Sequence, residues 1–420
     1  MQSIYRLLAA VAVLGAGFTG TAQQANVKKP VKTQAVAQKA APKLSAEQKF
    51  VLDTVKMAVD LPQSDQQDRL RVLSAAADVV STIDKKMARS LWSEGVRIES
   101  ELIQVGQTPA VSMMSSGQAD CAAAQSFVEN LPPAAALRAE QSLIGAVTAC
   151  PKQTLDPVSR KLDAAMDKGV IPSRAIMATM QAQGESTTWS QEHFAKMFSS
   201  LPDPQSNASE AENFAAMYAQ GVPAMKKDAA AAAGLKLLDW LGKLDGNPLR
   251  GLSIRVTTGA MEQALGAEAY QKALQSDLVA SSVAQNAGQD TEIQRPPQES
   301  VSVLEAMDNK GTDQSERLRG LPPTTRAREA AANGFAAGTS GNKQQARKYF
   351  DMAFSAADEV WDARSPDVNA VAVVQEISEA AAQVDSVNAL TRAQKLHDSS
   401  AQAIAMLAVA RVVASNGVTK

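Results

Sequence analysis

The sequence predicts an all-α protein of stacked antiparallel helical hairpins, and three observations predict it. Alanine, the strongest helix former, makes up about 18% of the 420 residues. Aromatic residues supply only 4%, and β-branched ones are few, so the types that favour strands are scarce. Apolar side chains recur every three or four positions between capping residues and glycines, as on one face of a helix. Hydrophobic residues total 45%, too many for a chain disordered throughout. A formal charge of −2 gives no general attraction for nucleic acid or anionic lipid. Two cysteines and two histidines cannot build a closed zinc site from repeated ligand pairs.

The chain opens with the pattern of a secretory signal peptide over 1–22. Arg6 supplies the positive start, Leu7 to Ala16 is apolar, and Gly20, Thr21 and Ala22 end it with small residues. The apolar run is too short to span a bilayer. No cysteine follows it, so no lipid attachment site is expected. The expectation is cleavage near Ala22 and export to a periplasm or the exterior, with no transmembrane segment in the mature chain. Residues 23–43 carry Lys28, Lys29, Lys32, Lys39 and Lys43 without apolar periodicity. They read as a disordered basic tail, a solvated spacer rather than a tether to anionic polymer.

From Ser45 onward helix punctuation recurs at short intervals. Ser45 with Gln48, and Ser64 with Gln67, fit capping boxes. Asp156-Pro157 and Asn247-Pro248 each place a capping side chain before a proline suited to the first helical position. Gly106, Gly169, Gly184 and Gly221 stand where helices should stop. Met87, Leu91, Ile98 and Leu102 share one face, Phe350, Ala353, Phe354 and Ala357 a second, and Val387, Leu390, Ala393 and Leu396 a third. The pattern predicts roughly 16 to 18 helices and no strand.

Two recurrences suggest repetition. Leu-Pro occurs at 61, 131 and 201, and again at 321; the 70-residue step is about twice the length of a helical-hairpin repeat. An apolar residue followed by Asp marks expected helix starts at Asp84, Asp156, Asp245 and Asp385, with Ala88 and Ala389 following as small contact positions. Within 326–360, Gly334, Ala346, Phe350 and Ala353 fall at the offsets of a small–aromatic–small signature, with a turn over Gly338 to Asn342. This window resembles a tetratricopeptide repeat. The family's early Trp and Leu positions are Ala330 and Asn333 here, its Tyr is Ala337 and its final Pro is Asp358. A fainter echo covers Ala76, Ala88 and Trp92. The resemblance implies a TPR-like α-solenoid whose concave face binds peptides or proteins.

Residues 285–300 are polar and break the periodicity. They read as a linker between an N-terminal helical lobe, 44–284, and a C-terminal TPR-like lobe, 301–420. Cys121 and Cys150 form an even pair in an exported chain, so a structural disulfide is expected rather than a redox pair. Leu131-Pro132-Pro133 turns the chain between them. Cys121 lies ten residues before that turn and Cys150 17 after it. A bend or longer turn must absorb roughly 10 Å of mismatch at 1.5 Å per residue.

Little in the chain suggests chemistry. His193 and His397 are far apart in sequence and fit helix positions better than metal or general-base roles. Glu185-Ser186 matches the Glu-Ser of lytic transglycosylases, which resemble this chain in being exported helical solenoids. The downstream Gly-Leu-Met-Gln-like segment is replaced by Thr187-Thr188-Trp189-Ser190. Met113-Met114 fits core filling better than a thioether copper site. Lys226-Lys227, Arg317 and Arg319 read as solvated charges. No cofactor is expected. The functional expectation is a non-catalytic scaffold in the cell envelope that holds another exported protein or peptide, with the 323–416 lobe as its groove. The alternatives are a glycan hydrolase using Glu185 as acid and base, and a purely structural envelope protein.

Overall fold

A computed structural model describes residues 44–115, 120–184, 187–244, 247, 250–286, 314–363 and 369–418. The expected signal peptide, basic tail and Glu185-Ser186 lie outside the described residues. Every regular element described is helical. The first group comprises α1 (Ala46–Asp60), α2 (Gln66–Val80), α3 (Lys85–Gln104), α4 (Cys121–Asn130), α5 (Glu140–Ala149) and α6 (Pro151–Met166). Then come α7 (Ser173–Gln183), α8 (Thr188–Ser199), α9 (Ala211–Gly221), α10 (Lys227–Gly242), α11 (Arg250–Leu265), α12 (Ala267–Gln275) and α13 (Leu278–Asn286). The last group is α14 (Ser315–Arg319), α15 (Pro323–Thr339), α16 (Lys343–Ala363), α17 (Ala370–Ala393) and α18 (Ser399–Val418). The expected 285–300 linker thus begins inside α13, and the rest of it falls outside the described residues.

Several helix ends follow the local code. Ser45 and Gln48 form the expected capping box. Asp84 caps α3 by accepting from the amides of Lys86 and Met87. Gly106, Gly169 and Gly184 take positive φ at the ends of α3, α6 and α7, a conformation that costs glycine no steric penalty. Others depart from it. The cap of α2 is Asp65, which accepts from the Asp68 amide at 2.8 Å. Ser64 donates to the Asp68 carboxylate instead, and Gln67 binds the backbone of Thr108 and Ala110. Asp156 and Pro157 lie inside α6, because Pro151 already starts that helix with Cys150 as its cap. Gly221 ends α9 as expected, but with ordinary helical φ; a Cβ there would sit 2.6 Å from the Phe194 ring, so glycine is needed for packing and not for a left-handed stop.

Helices pack mainly on the next helix or the next but one. α4 lies against α6, α5 against α7, α8 against α10, and α9 against α11. Toward the other end of the chain α15 packs on α16 and α17, and α17 on α18. α18 then packs on α1 and α2, so the last helix joins the first two. Residues Ala403 to Ala410 of α18 are buried on every side, as expected of a helix apolar all round. The Leu-Pro recurrence has a simpler cause than repetition. Leu61, Leu131, Leu201 and Leu321 each lie at or just past a helix end, where the residue before proline resists the α conformation. The two 70-residue steps end three and then four helices, so equal spacing in sequence is not equal spacing in structure.

Two features tie the first half together. The sulfurs of Cys121 and Cys150 stand at disulfide distance, with Cα atoms 5.4 Å apart. Cys121 opens α4 and Cys150 closes α5, each helix ten residues long. The expected mismatch is absorbed between them, where a 3-10 turn over Pro133–Ala135 precedes α5. The second feature is a 3-10 turn, Met113–Ser115, packed against α3 and α5. The indole of Trp92 donates to the Met113 carbonyl at 2.8 Å. Gly145 admits the turn, since a Cβ there would come within 2.6 Å of the Met114 and Ser115 backbone.

Candidate functional site

The C-terminal helices build a groove from two matched stripes. α15 starts with Pro323 at its first turn and ends before a tight turn at Ser340–Asn342, where Gly341 has φ +87°. Gly338, expected in that turn, lies in the helix. Asn342 then accepts from the Gln345 amide at the start of α16. The hairpin closes because Gly334 lies under Phe350: a Cβ at 334 would be 3.0 Å from the ring. Ala346, Phe350 and Ala353 are buried. Gly334 and Phe350 therefore meet at the helix–helix contact and Ala346 and Ala353 are buried on the same helix as Phe350, a packing role.

α17 lies along the same α15. At Gly338 the approach is so close that a Cβ would overlap the side chain of Val384. Asp385 breaks the helical backbone one residue later, and its carboxylate caps the following turn by accepting from the Asn388 amide. Between α15 and α17 lies a groove of about 470 Å³, within the range of ligand-binding clefts. Arg328, Ala332 and Phe335 line it from α15; Glu376, Ala380 and Gln383 line it from α17. Both sets step by three or four residues, so each is one helix face. Arg328 closes one end with a two-pronged bond to Glu376, at 2.8 and 3.3 Å. At the other end the exposed Gln383 amide has no partner among the described residues. Glu379, also in the wall, is paired with Arg411 of α18.

The other residues singled out by sequence do not come together. His193 is 8% exposed and engages both ring nitrogens, Nδ1 with the Trp189 carbonyl at 2.8 Å and Nε2 with Asp163 at 2.5 Å. Its ring stacks on Trp189 at 3.8 Å. It fastens α8 to α6. His397 is exposed beside Asp358, whose carboxyl burial pushes upward against the opposing pull of His397. Met113 and Met114 are fully buried in the core. Lys227 bonds the Leu265 carbonyl, and Arg317 pairs with Glu329. Among the described residues no three His, Cys, Asp or Glu side chains are grouped to hold a metal ion.

One buried group escaped the sequence reading. Glu99 of α3 is fully buried. Burial drives its pKa up, opposed by bonds from the Ser142 and Ser112 hydroxyls and the Met113 amide. Ser142 donates at 2.5 Å and the Met113 amide at 3.0 Å. Glu99 thus clamps the Met113 turn between α3 and α5. The one signal available was a carboxylate beside the apolar face of Ile98 and Leu102.

No family model, curated protein or solved structure matches the chain. No helix among the described residues is long and apolar enough to cross a membrane. Any function must therefore be read from the groove's own geometry and chemistry.

Proposed function

We propose that the protein is exported and acts as a non-catalytic helical scaffold, holding a peptide segment of another envelope or exported protein between α15 and α17. The observation that carries this reading is the groove itself, an apolar floor of alanines and Phe335 between a charged end at Arg328–Glu376 and the open amide of Gln383. Small side chains let a bound backbone approach closely, Phe335 offers apolar area, and Gln383 can pair with a peptide group. Arrangement of the hairpins as a TPR-like solenoid is part of the same proposal.

Ala332→Lys and Ala380→Lys would fill the groove from opposite walls without disturbing the Gly334–Phe350 contact. Partners captured from an envelope extract by the full mature chain should be lost with both variants and kept with a lysine placed on the outer face of α16. Capture that is indifferent to groove filling, or no enrichment at all, would refute the reading. Cleavage of purified peptidoglycan that disappears in Glu185→Gln would replace it with the hydrolase alternative. An N-terminus found at Gln23 in protein recovered from outside the cytoplasm would establish export with cleavage after Ala22.

A further inference from the structure

A second cavity, independent of the α15–α17 groove, opens among α5, α7, α8 and α9 and encloses about 510 Å³. Its wall is mainly apolar, with Leu137, Ile171, Met197, Leu201, Phe214 and Met217. Three charged side chains reach it: Glu140, Arg174 and Glu210. The balance is therefore two carboxylates to one guanidinium.

The structure uses only part of that charge. α7 has no side-chain cap of its own, because Pro172 occupies its cap position. Glu140 supplies one from α5, and its Oε1 accepts from the amides of Arg174 at 2.8 Å and Ala175 at 3.4 Å. Its Oε2 has no partner among the described residues. Burial raises the Glu140 pKa, and the nearby charge of Glu210 raises it further; the two amides and the Arg174 charge oppose this. Glu210 Oε2 accepts from the Asn213 side-chain Nδ2 at 2.8 Å and makes a loose contact with Arg174 at 3.5 Å, which leaves Oε1 open. One oxygen of each carboxylate is thus left without a protein partner among the described residues, and a single half-exposed arginine, in a loose ion pair with Glu210, answers the two acids. A ligand cation would complete the set. An anion would meet two carboxylates, and the helix N-terminus that could attract it is already occupied by Glu140.

We propose that this cavity binds a small primary amine carried on an apolar body. The ammonium lies between Glu140 and Glu210, and the apolar part lies against Phe214, Met197 and Met217. An ammonium offers three donors and can bridge both open oxygens. Leu137, more than half exposed at 55%, lies at the mouth, where an apolar chain would cover it.

The test uses the full mature chain with labelled methionine methyls and n-hexylamine as the probe. n-Hexanoate and n-hexanol serve as controls of equal length. Hexylamine should shift the methyl of Met217, which lines the cavity, and leave Met113 and Met114, which do not line it, unmoved. Two variants give opposite signs. Glu210→Gln should weaken hexylamine at least tenfold, and Arg174→Gln, which removes the internal competitor, should tighten it several-fold. Thermal melts check that both variants remain folded, and either one alone carries the sign. Binding of hexanoate or hexanol as tightly as hexylamine overturns the proposal. So does weakening by Arg174→Gln, or an absence of methyl shifts up to about 10 mM amine.

Discussion

Glu99 gives the sharpest test of how the first half of the protein is held. Glu99→Ala removes the acceptor for the Met113 amide and the Ser142 hydroxyl, both buried. Each orphaned donor costs about 1–3 kcal/mol, and the vacated space adds to that. The expected loss is about 3–5 kcal/mol by urea denaturation, with the Met113 turn loosened between α3 and α5. Glu99→Gln behaves differently, because glutamine mimics the protonated acid in shape and keeps an acceptor. The sign with pH follows from the raised pKa in the folded state. Such an acid contributes stability that is fully present below its unfolded pKa and is lost as pH rises through the folded one. The wild type should therefore lose ground to Glu99→Gln as pH rises from about 4 toward neutrality. Paired urea titrations across that range measure it. A cost below about 1 kcal/mol for Glu99→Ala, or a Glu99→Gln deficit that grows with rising pH, refutes the reasoning.

Other outcomes follow from single contacts. Gly145→Ala should cost more than Gly334→Ala, about 2–3 against about 1 kcal/mol, because its Cβ meets backbone and the other meets the Phe350 ring; denaturation midpoints rank them. Reduction of Cys121–Cys150, or replacement of both by serine, should cost about 3–4 kcal/mol for a loop closed over 29 residues. Mass measurement with and without reductant checks that the bond is present. Asp385→Ala should cost about 1 kcal/mol by removing the cap that restarts α17 after its break, with a matching loss of helical circular dichroism.

Much of the fold was legible because it is local. The Ser45 box, the Asp84 cap and the positive-φ glycines act within a few residues, and sequence shows them directly. The misreadings arise where a long-range partner intervenes. Gln67 is drawn off by Thr108 and Ala110, so the box expected at Ser64 gives way to Asp65. Pro151 starts α6 six residues before the proline that looked like its beginning. The groove was legible only as a region: the helical face of α15 can be read, but its pairing with Glu376 and Gln383 depends on how α17 lies across it. Glu140 and Glu210 were invisible for the same reason, since 70 residues separate them in the chain.

The seating of α18 on α1 and α2 also bears on how the protein is made. Synthesis and any threading across a membrane deliver the chain from its beginning, so the apolar faces of α1 and α2 emerge more than 300 residues before the helix that covers them. The faces of α1 and α2 that α18 covers must therefore wait, wet or chaperoned, until the helices between have been made. A chain cut short before Ser399 is not a slightly smaller protein. It keeps most of its helices yet displays a greasy flank that quality-control proteases can find. Arrival of α18 becomes the step that closes this flank.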